Sequence, residues 1–85
     1  MAASKNVNVK LDETTAVKVT IGEVTSRDRE KMTKTSELLL NGEVIGQLTE
    51  IATGHDRYYT TTDNEGRTRA TRVSRLKALK ALLAN

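Results

Sequence analysis

Hydrophobic and polar positions alternate along this chain in short runs, and the alternation predicts strands over most of its length. Asn6-Val7-Asn8-Val9-Lys10-Leu11 has period two, the signature of a strand with one buried face. Asp12-Glu13-Thr14-Thr15 follows as a turn, and Val17-Lys18-Val19-Thr20-Ile21 repeats the alternation. A first hairpin is therefore expected, with Val7, Val9 and Leu11 on the same side as Val17, Val19 and Ile21. The strongest local signal is Leu38-Leu39-Leu40-Asn41-Gly42-Glu43-Val44-Ile45. Asn-Gly between apolar runs favours a two-residue type I′ turn, because both central residues need positive φ. The second strand can continue through residues 46–51, with Gly46 marking a bulge or a close backbone approach. Residues 52–56 read as the next turn, and 57–62, rich in aromatic and β-branched residues, as a strand. Asp63-Asn64-Glu65-Gly66 reverses the chain, and 67–71 return as a further strand.

From about Arg72 to Leu83 the period lengthens to that of a helix. Leu76, Leu79 and Leu83 form a stripe, with Leu82 beside it and Val73 on the opposite flank. Ser74 or Thr71 is positioned to cap the start, and Ala78, Ala81 and Ala84 favour the helical state. Residues 23–35 are mostly polar without useful periodicity; they read as a mobile loop or linker, with room for one helical turn after Ser26. The expected fold is α+β: a small antiparallel sheet, made of an N-terminal hairpin and a β-meander, packed against one C-terminal α-helix. Eighty-five residues make one domain, in which 1–35 carry the hairpin and polar loop and 36–85 the main meander and helix.

Composition narrows the picture. Apolar residues make up 36% of the chain with no Phe and no Trp, so the core must come from Leu, Ile and Val, supported by two tyrosines. The absence of cysteine removes disulfides, thiolate metal sites and cysteine nucleophiles. The opening Met1-Ala2-Ala3-Ser4-Lys5 has no apolar run behind it, so no signal peptide is expected. Leu38-Leu39-Leu40 is far too short for a membrane span, and a cytoplasmic location follows as the default. The net charge of +3 is uneven: residues 56–85 hold seven basic groups against three acids.

Little in the chain suggests catalysis. His55 is the only histidine and sits in a turn beside Asp56, without a marked nucleophile. Asp63 and Glu65 lack the frame of a calcium loop, there is no phosphate loop, and no metal or small-molecule cofactor is expected. The candidate nucleic-acid surface is Arg57, Arg67, Arg69, Arg72, Arg75 and Lys77, with Tyr58 or Tyr59 able to stack on an unpaired base. The candidate protein-contact surface is Leu39 and Ile45, which lie out of phase with Leu38, Leu40 and Val44.

The segment from Val73 to Leu83 resembles in outline the last helix of double-stranded-RNA-binding domains, which also follows a three-stranded antiparallel sheet. The resemblance covers about a dozen residues. It implies phosphate contact by basic residues at the helix start, here Arg75 and Lys77. Strands stand where that family has its opening helix. The expected role is a noncatalytic macromolecular-interaction protein, a small regulator or inhibitor acting through protein contacts with a partner or a second copy. A phage or mobile-element accessory protein would have this style. The alternative is a DNA- or RNA-binding domain using the basic last hairpin and helix start.

Overall fold

The computed structural model describes residues 4–84; residues 1–3, part of the segment read as lacking a signal peptide, lie outside them. Six strands follow one another in space in the order of the sequence: β1 (Lys5–Lys10), β2 (Ala16–Asp28), β3 (Thr33–Leu40), β4 (Glu43–Thr53), β5 (Asp56–Asp63) and β6 (Thr68–Val73). Every neighbouring pair is antiparallel, and among the described residues one helix, α1 (Arg75–Leu83), follows β6. The sheet curves into a half-barrel with α1 on its concave face, packed on β5, β6 and β1. The α+β architecture expected from the sequence is the one observed.

Local chemistry explains the turns. Asp12 Oδ1 accepts from the backbone N–H of Thr14 (2.8 Å) and Thr15 (2.7 Å), closing the first hairpin. Asp28 and Asp63 open later turns in the same way, each accepting from the N–H two residues on (3.0 and 2.9 Å). Asn41 and Gly42 take φ of 52° and 85°, as a type I′ turn requires.

Residues 23–35 depart from the expectation. They are the end of β2, a four-residue turn and the start of β3, not a loop. Two features hid these strands. Register shifts between Ile21 and Val24 and between Val24 and Ser26 break the period-two alternation. The stretch is also wet on both faces, so no apolar face marks it.

The core is Val9, Val19, Leu38 and Leu48 from the sheet with Ala78, Leu79 and Leu82 from the helix. Ser74 caps α1 by accepting from the Lys77 N–H (3.4 Å). The buried helical stripe differs from the expected one: Leu76 is 45% exposed, and Val73 belongs to β6, where it packs against the core. Because the helix starts only at Arg75, Leu76 sits in its first turn, on the flank of the Ala78–Leu79–Leu82 face. Thr61, fully buried in β5, donates to the Ala78 carbonyl (2.9 Å) and ties the helix to the sheet.

Gly46 is the seat of the helix. A Cβ there would run into the Thr62 carbonyl and stand 3.1 and 3.2 Å from the two methyls of Leu82. The neighbouring bulge, where Leu38 pairs with Gly46 but Leu39 pairs with Val44, leaves Ile45 as the extra residue. Gly46→Ala is expected to lower the unfolding free energy by about 3 kcal/mol, the upper part of the overpacking range, because a backbone oxygen cannot turn aside. Chemical denaturation of the variant against wild type checks this.

Candidate nucleic-acid interface

The register stacks the concave face in rows that run across the strands. Ile21, Leu38 and Gly46 are aligned partners in one row, and Val24, Ser36, Leu48 and Thr61 in the next. The first is apolar and the second pairs Val24 and Leu48 with the hydroxyls of Ser36 and Thr61; both lie under or beside the helix. The third row is Arg27, Lys34, Glu50, Tyr59 and Val73, aligned from β2 to β6. Here the face turns from apolar to charged, beyond the first turn of α1.

Arg75 completes this row from the helix. It precedes Leu79 by four residues and Leu82 by seven, so it lies on the same stripe. The buried face of α1 thus runs out into an arginine at its first residue. Lys5, the partner of Ile21, reaches the same place from β1.

Together these side chains enclose a basin of about 440 Å³. Its floor includes Ile21, Ser36 and Leu48, and its walls carry Lys5, Arg27, Lys34, Arg57 and Arg75. Among the described residues, Glu50 is the only carboxylate on this lining and Tyr59 the only aromatic ring. Glu50 is the hub: it accepts from the Tyr59 hydroxyl (3.0 Å) and pairs with Lys34 (3.4 Å) and Arg57 (3.5 Å). A shallower depression of about 180 Å³ shares Arg27, Lys34 and Glu50 and adds Asp28, Arg29, Met32 and Thr33 at the β2–β3 turn, where the charges are mixed.

The charges shape the two central groups. Partial burial pushes the Glu50 carboxyl upward, but the Tyr59 hydrogen bond, Lys34 and Arg57 together outweigh it and hold the group below its ordinary value. Burial and the adjacent Glu50 push the Tyr59 hydroxyl up. At neutral pH the basin therefore holds an ionised carboxylate and a protonated phenol among five cations. Arg27 and Lys34 face each other directly across β2 and β3, a like-charge pairing that costs stability unless an anion lies between or above them.

The residues singled out from the sequence divide. Arg57, Tyr59 and Arg75 meet in the basin. Tyr58 lies on the opposite, convex face, aligned with Ile51. Arg67 and Arg69 gather elsewhere: both reach Asp63 (3.2 and 3.5 Å), Arg67 also pairs with Glu65 (2.9 Å), and Arg69 donates to the Ala84 carbonyl. Arg72 is exposed at the β6 bulge with φ of 55°, and Lys77 is on the outward side of α1. Ile45 packs against the core, and Leu39 is half-buried, its Cδ1 over Gly22. His55 is exposed in the β4–β5 turn.

Sequence reasoning missed Lys5, Arg27, Lys34 and Glu50. The last three lie in or opposite the stretch read as a loop, which gave them no face. The signal that finds them is the pairing itself: once β2 and β3 are aligned, Arg27, Lys34 and Glu50 fall in one row.

Among the described residues no group of three or more His, Cys, Asp or Glu could hold a metal ion, and no helix is long and apolar enough to cross a membrane.

Because the folded pKa of Glu50 is depressed, its ion pairs add stability above the unfolded carboxylate value, and that contribution is lost as pH falls through the folded value. Asp12 and Asp63, held down mainly by backbone N–H donors, act in the same direction. Acid melts should therefore show Glu50→Gln losing less stability than wild type between neutral pH and the carboxylate range, with the aspartates accounting for the remaining loss. Parallel slopes for the two proteins would show that the Glu50 pairs add nothing.

No family model matches this chain, and neither does any curated protein or solved structure compared with it.

Proposed function

We propose that this protein binds nucleic acid without catalysing a reaction, and that phosphate of the polymer sits in the basic basin at the open end of the half-barrel. One observation carries the reading: five cations from β1, β2, β3, β5 and α1 converge on one concavity with a single carboxylate to balance them. Strand register and the helical stripe bring these charges to one concavity, although Arg57 stays largely open to water and Lys34 partly so. Arginine forks and lysine ammonium groups are the usual phosphate contacts, and a tyrosine ring among them offers a stacking surface. The ionisation states support binding over catalysis: Glu50 is held as an acceptor and Tyr59 as a donor, so neither is poised to exchange a proton near neutral pH.

A role through protein contacts, acting as a regulator or inhibitor, has less support. Ile45 is turned onto the core and Leu39 is half-covered, so the apolar surface that motivated it is small.

Fluorescence anisotropy with short single- and double-stranded DNA and RNA, titrated with salt, tests the proposal. Wild type is expected to bind at low salt with an affinity that falls steeply as salt rises. Arg57→Ala/Arg75→Ala should weaken binding to every sequence and reduce the salt slope by about 2, one for each phosphate-contacting cation removed. Arg67→Ala/Arg69→Ala should leave affinity nearly unchanged, since those guanidinium groups are already neutralised by Asp63 and Glu65. No binding at low salt, or a weakening that follows Arg67 and Arg69 instead, would overturn the reading.

A further inference from the structure

We propose that the basin takes a phosphorylated chain end, a phosphomonoester, and that this group displaces Glu50 from Lys34 and Arg57. The inference rests on the nucleic-acid reading above and names which part of the polymer enters.

Three observations carry it. The first is shape. The basin has a floor, made by Ile21, Ser36 and Leu48, and the first turn of α1 stands over it with Arg75. A concavity of this size takes one small ligand group rather than a length of strand. Its volume of about 440 Å³ lies at the lower end of ordinary small-ligand pockets, roughly 300–1,000 Å³.

The second is charge. Five cations against one carboxylate leave a surplus on one small surface, of which a single internal phosphodiester, with one negative charge, meets less than a terminal phosphate does. A terminal phosphate carries about −1.5 to −2 at neutral pH and presents three acceptor oxygens. That is enough to bridge the opposed pair Arg27 and Lys34 while also meeting Arg57 or Arg75.

The third is the sharing of the internal pairing. Glu50 divides one carboxylate between Lys34 (3.4 Å), Arg57 (3.5 Å) and the Tyr59 hydroxyl (3.0 Å). One negative charge set between two cations leaves both under-matched. A dianionic group replaces the carboxylate, and the Tyr59 hydroxyl then becomes a donor free for the incoming oxygen. Glu50 in this view is a stand-in for the ligand, tethered to β4, and its competition sets the affinity.

The experiment compares one short single-stranded oligonucleotide in three forms: 5′-phosphorylated, 3′-phosphorylated and hydroxyl at both ends. Each is measured by anisotropy competition against wild type and Glu50→Gln, with inorganic phosphate as a further competitor. One of the phosphorylated forms is expected to bind about tenfold tighter than the hydroxyl form, a difference of about 1.4 kcal/mol. Glu50→Gln should tighten the phosphorylated form several-fold and leave the hydroxyl form within twofold. Phosphate should displace the phosphorylated oligonucleotide more readily than added chloride of equal ionic strength.

Equal binding of all three forms to wild type would overturn the end-recognition proposal while leaving nucleic-acid binding intact. Weaker binding of the phosphorylated form by Glu50→Gln would overturn the displacement, making the carboxylate a partner of the ligand. Failure of every form to bind at low salt would overturn this inference together with the reading it rests on. The comparison of ends in wild type needs no variant, so it stands even where a substitution harms folding.

Discussion

One short helix must cover a long sheet, and the rest of the molecule follows from that mismatch. Nine residues of α1 span about 14 Å at 1.5 Å per residue, whereas the longest strand, β2, has thirteen residues and the molecule is 40 Å in its longest dimension. The helix buries the part of the concave face nearest β1, β5 and β6 and then ends. Where it covers the sheet, the rows hold Ile, Val, Leu and Gly with two hydroxyl residues, Ser36 and Thr61; beyond it they turn to Arg, Lys, Glu and Tyr. The basin is the uncovered remainder of a face that would otherwise be core. Fixing the helix in position is therefore also what sets the rim of the site, and this is why Gly46, Leu82 and the Thr61–Ala78 hydrogen bond matter beyond stability.

The chain manages the exposed remainder with charge. A concave polar surface backed by an apolar floor is a region of reduced screening, and interactions between charges there are stronger than on an open surface. Placing one carboxylate at the centre of five cations limits their mutual repulsion without cancelling it. The opposite end of the molecule shows the contrasting solution. There Arg67 and Arg69 are met by Asp63 and Glu65, and little charge is left unmatched. Two arginine clusters of similar sequence appearance thus have different electrostatic character, decided by what stands across the strand.

Much of the fold was legible in the sequence, and the reason is local. The alternation at 6–11 and 17–21, the Asn41-Gly42 turn, the Asp63–Gly66 reversal and the change of period after residue 72 are each contained in a few residues. What escaped depends on partners distant in sequence. The end of β2 has two register shifts and no dry face, so only its pairing with β3 identifies it as a strand. Leu76 looks like a core leucine until the helix start is fixed at Arg75. The site was half visible for the same reason: Arg57, Tyr59 and Arg75 stood out in the basic last third, but Lys5, Arg27, Lys34 and Glu50 join them only through four successive strand pairings.

The neighbour-to-neighbour strand order has a consequence for how the chain is made. Each strand pairs with the one just before it, so as the polypeptide emerges from the ribosome every new hairpin can form at once, without waiting for a distant partner. The concave face has no such prompt cover. Val9, Val19, Leu38 and Leu48 remain open to water until the residues after Val73 have appeared and folded into α1. A nascent chain halted before that point is a curved sheet with an uncovered apolar face and a free edge at its newest strand, the kind of species that sticks to its copies or recruits a chaperone. For this fold, the most vulnerable moment of synthesis comes when nearly all of the secondary structure is already in place.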